Sequence, residues 1–137
     1  MTPATKPLLL LMLGLSLHLT GCASQANAAP KETAAVPDPA VTDGDKYSVI
    51  YENALVRVLH YRDEPGAKTH QHYHRNFFLY ALGGFQRRIT FADGKIKERS
   101  FKAGEFAWMP SQVHTGENTG ATPTDALLFE VKQNLAL

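Results

Sequence analysis

Imidazole is the metal-binding group that this sequence repeats at the shortest intervals. His70, His72 and His74 alternate within Thr69-His70-Gln71-His72-Tyr73-His74, and His114 follows later in the chain. In an extended strand, side chains at i and i+2 leave the same face with Cα atoms ~6.6 Å apart, a gap that two imidazoles can bridge onto one ion. His70 with His72 and His72 with His74 both meet this spacing, whereas His70 and His74, ~13 Å apart, cannot share an ion without a bend. A third donor must come from elsewhere. His114, just after Pro110 at the start of another apolar run, is the natural choice. His70 reads as a rim residue. His60 shares strand parity with Val56 and Val58 and reads as a hydrogen-bonded core or surface residue, not a fourth ligand. The chain has one cysteine, Cys22. Internal disulfides, CxxC redox pairs and thiolate zinc sites are thereby excluded, so metal chemistry has to rest on histidine and carboxylate.

These donors need a scaffold, and the sequence supplies strands. From Tyr47 onward, short runs rich in Val, Ile, Tyr and Phe are separated by Gly, Asp, Asn and Pro at intervals of roughly ten residues, the pattern of an antiparallel sandwich or barrel. The candidate strands are 47–51, 54–61, 68–74, 77–82, 85–91, 96–101, 105–109, 113–118 and 125–133. Asp93-Gly94 supplies the positive φ angles of a tight hairpin, which pairs the fifth run with the sixth. Nine short strands in about 92 residues bury their apolar faces most completely as a small antiparallel β-barrel or double-sheet jelly roll. Phe77, Phe78, Tyr80 and Trp108 read as barrel core, with Tyr80 or Trp108 a candidate for the pocket wall. Arg87 shares parity with Phe85 and Ile89, and an inward Arg87 would hold an anionic substrate; the alternative is a solvated strand edge. A chain of 137 residues allows one compact domain. Its 14 basic and 13 acidic residues give a net charge of +1 without any basic cluster. That argues against a nucleic-acid surface, which needs grouped Lys and Arg to displace counterions.

Gly66-(five residues)-His72-Tyr73-His74, followed by Gly104-(five residues)-Pro110-Ser111-Gln112-Val113-His114-(three residues)-Asn118, resembles the two motifs of the cupin superfamily. The match runs from about Tyr47 to Val131. The resemblance implies a double-stranded β-helix, a cupin-like jelly roll, in which His72, His74 and His114 converge on a divalent metal. It departs from the family pattern in two places. The glutamate of the first motif would fall at Phe78 or Leu79, neither of which can bind a metal, and Gln112 replaces a glycine. The site thus resembles the three-histidine cupins, among them thiol and diketone-cleaving dioxygenases. Three neutral imidazoles leave a divalent ion its full charge and up to three open positions, which suits an anionic bidentate ligand together with oxygen or water. Fe(II) is favoured on that ground, with Zn, Mn, Ni or Cu as alternatives. The functions implied are a dioxygenase-like enzyme acting on a small chelating anion or a non-catalytic metal- or metabolite-binding module. A homodimer formed by strand pairing is also implied by the resemblance.

Ahead of the barrel lies an address. Lys6 precedes the apolar run Leu8 to Leu19, which at ~18 Å as a helix is too short to span a bilayer and reads as a secretory signal. Leu19-Thr20-Gly21-Cys22 resembles the lipobox of bacterial lipoproteins, with Cys22 the acylated residue. The alternative is cleavage after Ala26-Asn27-Ala28, which gives a soluble periplasmic protein. Removing residues 1–21 takes Lys6 away and leaves 13 basic against 13 acidic residues, so membrane attachment would rest on lipid and place the protein in the cell envelope, facing the periplasm. The expected organisation is a signal over residues 1–21, a flexible tether rich in Ala, Pro and Thr over 22–45, and a barrel over 46–137.

Overall fold

Apolar residues that recur with the two-residue period of a pleated strand can be buried together only when strands pair and one face of each sheet meets another. A computed structural model describes residues 36–132. They form one helical turn, α1 (Pro39–Thr42), and nine strands: β1 (Tyr47–Glu52), β2 (Val56–Asp63), β3 (His72–His74), β4 (Phe77–Ala81), β5 (Phe85–Phe91), β6 (Ile96–Phe101), β7 (Phe106–Met109), β8 (Gln112–Asn118) and β9 (Thr124–Val131). All strand pairs are antiparallel. The strands make a five-stranded sheet in the order β1-β2-β9-β4-β7 and a four-stranded sheet in the order β3-β8-β5-β6. Between them lies a core of Tyr47, Leu59, Tyr61, Phe77, Ala81, Phe85, Met109, Ala126 and Leu128. The fold is the all-β jelly roll expected from the sequence, and each expected strand is present.

Three local differences have physical causes. In the β5–β6 hairpin only Gly94 takes a positive φ, +82°. Phe91 N–H donates to Lys95 O and Gly94 N–H to Phe91 O, so the connection is longer than a two-residue turn and Asp93 keeps an ordinary φ. The strand expected over 68–74 shrinks to His72–His74, because His70 N–H donates to the Asp43 carboxylate and not to a neighbouring strand. Finally, the packed unit begins before residue 46. Asp38 caps α1 by accepting from Ala40 N–H, Pro39 and Asp43 are buried, and Tyr73 N–H donates to Pro37 O. The last part of the expected tether is therefore folded onto the barrel. The signal segment 1–21 and Cys22 lie outside the described residues.

The aromatic residues divide between the two faces of the larger sheet. Phe77 points inward, but Phe78, Tyr80 and Trp108 point outward and are exposed. Strands β4 and β7 are apolar on both faces, so aromatic character alone did not identify the core.

Candidate metal centre

Strand alternation and register bring the donors together. His72 and His74 share the inward face of β3 on either side of half-buried Tyr73, and His114 on β8 sits directly opposite His72. Ring centroids lie 4.9 Å apart for His72–His74 and for His72–His114, and 5.4 Å apart for His74–His114. Each of the three residues offers a ring nitrogen within 4.8 Å of the other two. All three are buried, and His72 Nδ1, His74 Nε2 and His114 Nδ1 have no hydrogen-bond partner. Buried polar atoms left unpaired are costly and uncommon, and a cluster of three neutral imidazole nitrogens is a donor set that suits first-row divalent ions. The residues fit a metal.

Burial also sets their protonation. It holds His74 and His114 well below the usual imidazole range, with the neighbouring histidines adding to the shift. Burial lowers His72 too, against an opposing pull from Asp43. The imidazoles are thus neutral at neutral pH, the form that binds a metal.

Two carboxylates stand behind the cluster. Glu130, fully buried on β9, lies 2.6 Å from His74 Nδ1 through Oε1, while its Oε2 accepts from Arg57 Nε at 2.8 Å and Nη2 at 2.7 Å. Arg57 Nη1 continues the chain to Asp38 Oδ2, 2.5 Å away at the start of α1. Burial pushes the Glu130 carboxyl up, and the Arg57 guanidinium opposes this. The net shift of Glu130 is upward; with Glu130 ionised beside Arg57, His74 Nδ1 is the donor and the lone pair on Nε2 faces the cluster. Asp43 stands near His72 without a hydrogen bond, its Oδ2 lying 3.5 Å from Nδ1, and acts on that ring through its charge. Burial raises the Asp43 carboxyl, but hydrogen bonds from Thr42 and His70 more than offset it, and the net shift is downward. Tyr47 OH lies 3.5 Å from His72 Nε2, and burial pushes its phenol far up, so it stays neutral.

Beside the histidines the barrel interior opens as a cleft of ≈ 620 Å³, mouth included. Its walls are mostly apolar, from Phe77, Leu79, Phe85, Phe91, Met109 and Leu128, with His74 and His114 on one side and Arg87 and Arg99 as the cations. Arg87 is buried and inward, not at a solvated edge. Its Nη1 donates to Asp63 Oδ2 at 2.6 Å and to Thr124 Oγ1 at 3.0 Å, and its guanidinium lies 4.7 Å from the centre of the Tyr61 ring. Asp63 also accepts from Tyr61 OH and, at 3.2 Å, from Asn118 Nδ2. Gly116 is needed here, since a Cβ at that position would collide with Arg87 Nη2.

Of the residues expected at the pocket, Arg87 lines it. Tyr80 and Trp108 are on the outer face of the sheet and line no part of it. The His70 side chain is largely exposed and hydrogen-bonds Asp43 through Nδ1 at 3.0 Å, a rim position. His60 pairs with Asp125 at 2.7 Å, away from the cluster. Of the two positions where the motif would carry a glutamate, Phe78 faces outward and only Leu79 lines the cleft. Glu130, Asp43 and Asp63 were missed. For Glu130 a signal existed, because strand alternation from Ala126 and Leu128 puts this charged residue on the apolar phase of β9.

No protein-family model matches the chain, and no curated protein is significantly similar to it. Solved structures are. A cupin domain from Bordetella pertussis matches at 20% identity and a TM-score of 0.58, over 64% of this chain and 92% of that one. A conserved protein with a double-stranded β-helix domain from Klebsiella pneumoniae matches at 23% identity and 0.51, over 64% and 76%. A cupin-family protein with the same fold from Methanocaldococcus jannaschii matches at 16% and 0.51, over 62% and 77%. At these identities the likeness establishes the fold, the double-stranded β-helix of cupin domains.

Proposed function

We propose that this chain is a divalent-metal-binding barrel of the cell envelope, anchored by lipid at Cys22, that takes up a small anionic chelating molecule and acts on it as an oxygenase. The observation that carries the proposal is the trio of buried imidazoles, His72, His74 and His114, each with a ring nitrogen lacking a partner, beside an apolar cleft. The metal, with Fe(II) favoured, would supply Lewis acidity and activation of oxygen. The chain does the rest. His74 is aimed by Glu130, and His72 is steadied by Asp43. Phe77, Phe85, Phe91 and Met109 exclude water and favour a ligand with an apolar body, while Arg87 and Arg99 favour an anionic group on it.

One observation favours a second reading, a non-catalytic binding module. Glu130 is tied to His74 and Arg57, Asp63 to Arg87, Tyr61 and Asn118, and Asp43 to Thr42 and His70, so none of the three buried carboxylates is free to serve as a general base.

Metal content after anaerobic purification tests the site. The expected result is one divalent ion per chain, sharply reduced in His72→Ala, His74→Ala and His114→Ala and retained in His60→Ala and His70→Ala. Full occupancy in His114→Ala would sink the triad. Oxygen uptake by the Fe(II) form across diketones, thiols and phenolic acids then separates the two functions, and zero uptake throughout selects the binding module. Cys22→Ser should release the protein from membranes or stall its processing; a soluble wild type with its mature N-terminus at Ala29 would overturn the lipid anchor.

A further inference from the structure

The short strand that carries two of the histidines is held from outside by the segment that precedes the barrel. β3 is only three residues long and stands at the edge of the four-stranded sheet, paired with β8 on one side. Residues 37–43 cover its other side. Tyr73 N–H, between His72 and His74, donates to Pro37 O at 3.1 Å. Asp38 Oδ2 lies 2.5 Å from Arg57 Nη1, and Arg57 holds Glu130, which meets His74. Asp43 accepts from His70 N–H at 3.1 Å and stands 3.5 Å from His72 Nδ1. One turn of chain thus reaches the backing of both histidines on β3 and closes the strand edge between them.

We propose that residues 37–43 are a strap whose docking on β3 and metal binding at the histidine cluster form one coupled equilibrium: a bound ion locks the strap down, and release of the strap lets the ion go. The proposal rests on the metal site of the proposed function and adds to it a device that links the site to the end of the chain carrying the expected tether. Two observations support it. The strap can come away from the barrel, because α1 is a single turn, too short to persist without its contacts. The apolar side chains it buries are small, Pro39 fully and Ala40 in part, while Val41 is 78% exposed, so its attachment is mostly polar and belongs to the low end of local stability. The second observation is charge. Asp43 is buried with the Lys46 ammonium 3.8 Å away, a distant counter-charge. A divalent ion held by His72, His74 and His114 adds positive charge beside that carboxylate, and so favours the docked strap over the released one.

The test is amide hydrogen exchange on the full chain carrying Cys22→Ser, with zinc(II) alone as the probe, beside a competitive zinc titration. Exchange is read at Thr42 and Asp43, whose N–H groups bond within the turn to Asp38 O and Pro39 O, and at Tyr73, whose N–H bonds the strap. One zinc per chain is expected, with exchange at these three amides slowed by at least about fivefold. Gly94 and Lys95, in the exposed β5–β6 turn, serve as controls and should not move. Coupling is reciprocal, so detaching the strap should weaken zinc affinity by the same factor. Gly44→Ala detaches it without removing a charge, its Cβ meeting Ala40 O at 2.8 Å, and Asp38→Ala cuts the tie to Arg57; strap exchange in each variant shows the turn opening. Val41→Ala, at an exposed position, should leave both readouts at the parent value. Zinc bound one-to-one with strap exchange unmoved overturns the coupling alone, as does parent affinity in a variant whose strap amides exchange freely, or equal slowing at Gly94 and Lys95. No zinc bound by the parent overturns the metal site, and the coupling with it.

Discussion

Replacing Glu130 by Gln tests whether the histidine cluster is held from behind. The carboxylate is fully buried and meets three N–H groups, His74 Nδ1 at 2.6 Å and Arg57 Nε and Nη2 at 2.8 and 2.7 Å. A carboxylate only accepts, so one group satisfies all three donors. An amide of the same shape has a single oxygen, and its NH₂ must then face either the imidazole or the guanidinium. Removing one side of a buried pair costs about 3–5 kcal/mol. Arg57 keeps Asp38 at 2.5 Å, which puts the expectation near the lower end, ~3 kcal/mol, or a melting temperature ~12–24 °C lower for the metal-free protein. Metal affinity should fall separately, by about 10–100-fold, because His74 loses the partner that fixes its tautomer and ring angle. The assays are thermal melts in chelator and competitive metal titration at neutral pH. A variant that melts with the parent and binds metal equally well refutes both steps. One that is destabilised but keeps its metal affinity would reduce Glu130 to a structural ion pair.

Acid should unfold the metal-free protein early: burial lowers His72, His74 and His114 below their ordinary value of 6.5, so the unfolded chain takes up protons first as pH falls and stability is lost from about pH 6.5 downward. The limiting slope is ~1.4 kcal/mol per pH unit for each imidazole, and melts across this range should flatten in His114→Ala; a profile without pH dependence would refute the shifts. Gly44→Ala puts a Cβ 2.8 Å from Ala40 O, which forces the α1 turn apart, and should weaken metal binding several-fold while the circular-dichroism spectrum keeps its strand signature; unchanged affinity would show that α1 does not steady the site. Leu79→Glu should compete with an anionic chelator for the metal, whereas Phe78→Glu, facing outward, should not; equal chelator binding in a folded Leu79→Glu variant would remove the argument from an absent carboxylate ligand.

The strands were readable because their periods are short and local, and the histidines because two of them sit at i and i+2. The supporting carboxylates were not, since their partnerships cross the chain. Glu130 lies 56 residues from His74 and 73 from Arg57, and Asp43 lies 27 from His70. No window of sequence contains such a pair. Asp43 was further hidden by its Ala- and Pro-rich surroundings, which read as tether, although Asp38-Pro39 carries a cap and a first-turn proline. The aromatic residues failed for the opposite reason. On β4 both Phe77-Leu79 and Phe78-Tyr80 are apolar, so alternation gave no direction, and only the fold shows that one pair faces the core and the other solvent.

The missing motif glutamate acquires a different meaning once Glu130 and Asp43 are placed. A carboxylate that binds a divalent ion directly lowers its charge and occupies a position. A carboxylate one residue further back does neither, yet its negative field still favours a cation in the cluster, and a hydrogen bond from the imidazole makes that ring a better donor. Glu130 acts on His74 in this way, and Asp43 stands 3.5 Å from His72, while Arg57 and Lys46 offset part of the charge from the far side. In this chain the negative charge thus stands behind the histidines. Such a site would attract a metal while keeping its positions open, and under the proposed function Arg87 and Arg99 on the adjoining wall would face the anionic end of a ligand.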